Sequence, residues 1–214
     1  MKKKVLLLLL VLSPILAAQA QYFRFGGKAG GGVGGAVGKD APSEQINRYA
    51  SAHVGLIAAY DFVSPVTLQS ELLYIKKGFT YSNYEANQTD AYSGDLRLNY
   101  IQLPLLVKLR AGGLFVEAGP YGSYLVSVNS DVSRIDLSTA GSASPVILGQ
   151  QGFDRSEFQS FDYGYAIGGG LAFDNGVFLG LRHTGGLRSF SSQGLNMRNS
   201  VFQLSIGYLL PGIL

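Results

Sequence analysis

Cysteine is absent from this chain, and histidine occurs only as His53 and His183. Without a thiol there is no disulfide and no N-terminal cysteine to carry a lipid anchor. Two histidines without cysteine leave no multi-histidine zinc site, and a Ser-His-acid arrangement would have to use His53 or His183. Charge is scarce as well, at 14% of residues. The apolar run at residues 5–12 is too short for a membrane-spanning helix, which needs about 20 residues. No Walker A sequence is present. Gly30-Gly31-Gly32-Val33-Gly34-Gly35 matches G-x-G-x-x-G, but no helix follows it. It reads as a flexible strand end and bend, so no cofactor is implied.

Residues 1–20 read as an export signal. Lys2, Lys3 and Lys4 precede the apolar run, Pro14 breaks it, and Ala18 and Ala20 offer the small side chains that signal peptidase inspects. The expected mature chain is one domain, residues 21–214. Without the three lysines the basic count falls from 17 to 14, equal to the acidic count of 14. With the charges balanced, no basic patch remains to track a nucleic-acid backbone, so nucleic acid is excluded as a partner.

What is abundant points to sheet. The chain has 29 Gly, 13 Tyr and 12 Phe, a poor composition for long helices and a good one for curved sheets with aromatic belts. From Tyr100 to Leu109 the sequence alternates strictly. Ile101, Leu103, Leu105, Val107 and Leu109 share one face, and Tyr100, Gln102, Pro104, Leu106 and Lys108 the other. That period of two is a strand, and residues 115–128 repeat it. Six more segments read likewise, at about 22–37, 51–62, 67–82, 161–173, 177–188 and 199–210. Transmembrane strands need about 9–11 residues, and these are long enough.

The connections alternate in length. Val63-Ser64-Pro65, Gly112-Gly113 and Asp174-Asn175-Gly176 are tight turns. Residues 38–50, 83–95, 129–160 and 189–198 are long connections. This predicts an all-β fold: an eight-stranded antiparallel up-and-down barrel in the outer membrane, with short periplasmic turns and long extracellular loops. A soluble barrel would place its charges outside and carry more surface Lys and Glu.

In these registers Arg24, Lys28, Asp61, Glu71, Lys77, Gln102, Lys108, Glu117, Arg182 and Gln203 face the lumen. Both signs are present, so they are expected to pair across it and seal it. A polar channel is the competing reading, and eight strands leave little room for one. Counting back from Gly112-Gly113 sets Lys108 opposite Glu117. With Arg182 inward, His183 faces lipid, and His53 is read as a rim residue.

Leu98 to Leu109, with its run Asn99-Tyr100-Ile101-Gln102-Leu103-Pro104, resembles the fourth-strand signature of the PorT-like outer-membrane β-barrels. Glu71-Leu72-Leu73-Tyr74 with Lys77-Gly78 resembles their third strand, and Gly119-Pro120-Tyr121 their fifth. The resemblance implies an outer-membrane barrel without known catalytic residues, in a family with one member that assists protein secretion and gliding. The chain departs from the usual barrel ending by running past Tyr208. The barrel-assembly machinery would have to recognise Tyr208 or tolerate the tail.

Function on such a scaffold belongs to loops. The longest, 129–160, carries Ile135, Phe153 and Phe158 as candidate contacts for a partner protein or surface polymer. The competing reading folds them inward as a cap. A small pore or secretion accessory is a second function, and a lipid hydrolase or acyltransferase using His53 or His183 a third.

Overall fold

The computed structural model describes residues 23–41, 45–62 and 65–211. The expected signal peptide, the mature start at Gln21, positions 63–64 of one tight turn and the tail at 212–214 lie outside these residues. Ten strands form one antiparallel sheet: β1 (Phe23–Val37), β2 (Ile46–Asp61), β3 (Val66–Glu85), β4 (Asp90–Ala111), β5 (Leu114–Ser130), β6 (Val132–Asp136), β7 (Ile147–Gln151), β8 (Phe161–Ala172), β9 (Val177–Gly186) and β10 (Arg198–Leu209). Eight of them close on themselves. The order runs β3-β2-β1-β10-β9-β8-β5-β4, and β4 pairs back onto β3. β6 and β7 stand outside this ring, added in turn to the outer end of β4.

Alternation builds the wall. On β10, Leu204 is 63% exposed and the adjacent Gln203 is 0% exposed. The apolar residues Leu56, Leu103, Val116, Leu181 and Ile206 all face outward. A surface of this kind is stable only against hydrocarbon. Aromatic rings crowd toward both ends of the wall. Phe23, Phe25, Phe173 and Tyr208 lie near the periplasmic end, and Tyr124, Phe161, Tyr163 and Tyr165 toward the outer end. Two periplasmic turns use glycine in the left-handed region, Gly112 at φ +58° and Gly176 at φ +88°.

The structure corrects three readings. Residues 83–95 are not a long loop. β3 and β4 continue to Glu85 and from Asp90, leaving only residues 86–89 between them. Tyr84 and Tyr92 supply the aromatic strand propensity that Asn83, Ser93 and Gly94 had masked. Residues 129–160, read as one long connection, hold β6, β7 and two short 3₁₀ turns, Leu137–Thr139 and Arg155–Glu157. The glycine run is no bend. It pairs with β10 throughout and with β2 from Gly30 to Gly34. A Cβ at Gly30 would collide with the His53 ring and the Leu204 carbonyl, so glycine there makes room inside the barrel.

Candidate functional site

The interior is layered. At the periplasmic end Ile57, Ala59, Phe115, Phe178 and Leu209 form an apolar cluster. Above it lies a charged layer drawn from five strands. Glu71 accepts from Arg182 at both oxygens, 2.7 and 2.8 Å, and pairs with Lys28 at 2.8 Å. Arg182 also reaches Glu117 at 2.6 Å. Lys108 lies opposite Glu117 in the β4–β5 register and pairs with it at 3.4 Å. The Lys108 ammonium donates to Gln69 at 2.9 Å and stands over the Phe115 ring at 4.2 Å. Further out, Lys77 pairs with Asp162 at 3.2 Å and lies over the rings of Tyr100 and Tyr121. Arg24 stands apart at the periplasmic rim, where it pairs with Asp61 at 2.5 Å. Glu71, Lys77, Gln102 and Gln203 are all at or below 1% exposure, so side chains fill the lumen.

A second apolar cluster closes the outer end. Ile75, Phe79, Leu96, Leu98 and Leu125 from the wall meet Val132, Phe158, Phe190 and Met197 from the outer connections. Phe158 belongs to this cluster and Phe153 packs against it, while Ile135 is buried on β6 opposite Ala91, so the reading of the three as exposed anchors is corrected. Ile135 is 2% exposed and Phe158 7% exposed. Phe158 stacks on Phe190 with ring centroids 6.4 Å apart. Phe153 is half-buried and stacks on Tyr81 at 6.1 Å. Their burial covers apolar side chains that an open barrel mouth would leave in water.

Other groups remain at the surface. Val146, Ile147 and Leu148 are exposed, Ile147 by 67%. They lead into and begin β7, whose outer edge pairs with no strand among the described residues. Asp136 opens the 3₁₀ turn beside them. Hydrogen bonds from the Ser138 hydroxyl and backbone N–H hold its carboxyl below the ordinary range. Behind this hairpin Tyr81, Tyr84, Tyr92, Phe153, Glu157 and Met197 line a hollow of about 280 Å³. Sequence reasoning missed this hollow because it assigned Tyr84 and Tyr92 to a loop and left Tyr81 at a strand end. The signal was the spacing of tyrosines on either side of the turn.

The histidines occupy unlike places. His53 is not at the rim. It is buried inside the barrel, with Nε2 2.8 Å from the Ser205 hydroxyl. His183 faces outward, between the rings of Tyr165 and Phe202, with Nε2 3.1 Å from the Ser200 hydroxyl. No carboxylate pairs with either imidazole among the described residues. No group of three side chains suited to a metal ion occurs among them.

The model of a family described as outer membrane protein beta-barrel domain matches residues 17–192. Neisserial surface protein A superposes with a TM-score of 0.50 at 14% identity, over 86% of this chain and 96% of that one. Ail of Yersinia pestis gives 0.44 at 10% identity, over 88% and 99%. The outer membrane enzyme PagL gives 0.43 at 14% identity, over 85% and 98%. At these identities the first likeness speaks for the fold. No curated protein matches the sequence.

Proposed function

Because this chain belongs to the outer membrane protein beta-barrel domain family, and so resides in the outer membrane, we propose that it is a non-enzymatic scaffold whose segment 129–160 binds a partner protein or surface polymer. Within the family we place it with the PorT-like barrels, on the Leu98–Leu109 signature. One observation carries the reading. The longest outer connection is built as a sheet extension whose edge strand, β7, has no further partner among the described residues and, with Val146 just before it, presents Ile147 and Leu148 to the exterior. An unpaired strand edge beside exposed aliphatic side chains is suited to adding an extended segment of a partner. The filled lumen argues against the alternative of a small pore.

The test is capture of envelope partners by the intact barrel and by an I147S/L148S variant. Both should show the same heat-dependent migration in SDS, and the variant should lose the partners retained by the native chain. Equal capture by both would sink the assignment to this edge.

A second reading, lipid hydrolysis, rests on the His183–Ser200 pair on the lipid-facing wall. It ranks second because no carboxylate among the described residues orients the imidazole. Fatty-acid release from lipid micelles that disappears in both H183A and S200A would establish it.

A further inference from the structure

A second outer feature faces the membrane rather than the exterior. Arg155, in the 3₁₀ turn that follows β7, and Arg188, just beyond β9, line one hollow of about 580 Å³. Neither guanidinium pairs with a carboxylate among the described residues. Each fork is held by neutral oxygens instead. Arg155 donates to the Leu125 carbonyl at 2.6 Å and lies over the Tyr124 ring at 5.1 Å. Arg188 donates to the Phe161 carbonyl at 3.2 Å and to the Gln159 side chain at 2.8 Å. The rest of the polar lining includes the hydroxyl residues Ser156, Ser160 and Ser192 and contains no acidic residue.

Two fixed guanidiniums with hydroxyl donors, paired with no carboxylate among the described residues, suit a tetrahedral oxyanion. Position then decides which one. The floor of the hollow includes Tyr124 and Phe161, whose half-exposed rings belong to the outer aromatic belt. Such belts mark headgroup depth. A phosphate held by these arginines would therefore have its acyl chains lying along the lipid-facing wall below.

We propose that Arg155 and Arg188 form a docking site for the phosphate of an outer-leaflet lipid. The site is independent of the β7 edge, because it lies on the membrane side and uses different residues.

Native mass spectrometry of the intact barrel in detergent micelles tests it, with diphosphorylated lipid A and its dephosphorylated form as probes. The native chain should retain the phosphorylated form roughly tenfold better or more, the strength expected of charged hydrogen bonds. An R155Q/R188Q variant should lose the preference while keeping heat-dependent migration, and R110Q at the opposite rim should keep it. If the double variant does not fold, R188Q alone carries the same test. Equal retention of both lipids by the native chain, or a preference that survives the substitutions, would overturn the proposal. Displacement of the lipid by equimolar inorganic phosphate would overturn it too, by showing that a soluble anion suffices.

Discussion

Replacing Glu71 by Gln removes the carboxylate on which the charged layer converges. That layer holds Lys28, Lys108 and Arg182 against Glu71 and Glu117. In E71Q three cations would face one carboxylate, in a space almost closed to water. Removing one partner of a buried pair costs about 3–5 kcal/mol. The upper part of that range applies, because Glu71 receives both Arg182 contacts, Lys28 and Gln69. Adding K28M leaves two cations against one carboxylate, the same excess of one positive charge as in the native layer. The double variant should therefore recover about 2 kcal/mol or more, and the two substitutions should not be additive. Urea titration in micelles, read by loss of the compact band in unheated SDS, measures each cost. An E71Q cost below about 1 kcal/mol, or strictly additive costs, would show that these groups are solvated and the lumen is not sealed.

K108M/E117M should be less destabilised than either single variant in the same titration, since only the singles strand an enclosed charge. F158A should cost about 3 kcal/mol or more by opening the outer cap, with unfolding midpoints as the measure. G30L should fail to give the compact band, because no space exists for its side chain beside His53. In planar bilayers the native chain should give no steady conductance, and a sustained porin-like current would contradict the filled lumen.

The ring itself was legible because hydrocarbon enforces a strict alternation of side chains. Counting outward from Gly112-Gly113 was enough to set Lys108 against Glu117. Beyond the membrane that constraint lapses. Residues 83–94 mix tyrosine with Ser, Asn, Asp and Gly, and a loop reading suited them as well as a strand reading. The same loss of constraint explains Phe153 and Phe158. Apolar residues at a rim can face a partner or the barrel's own mouth, and composition does not separate the two. What decides is Phe190 and Phe79, which reach the mouth from distant parts of the chain. His53 was misplaced for a related reason. Its inward orientation depends on the space at Gly30, one strand away.

The joint between the first and last strands is where a barrel of this kind has to be completed. β1 and β10 meet there along Gly26 to Val37. Lys28 lies on one side of that joint and Arg182, on β9, on the other, and both are held by Glu71 from across the lumen. The joint is thus clasped from within by a carboxylate belonging to neither strand. The clasp forms only when β1, β3 and β9, distant in the chain, have been brought together around the lumen, so these ion pairs report closure of the ring rather than formation of any one hairpin.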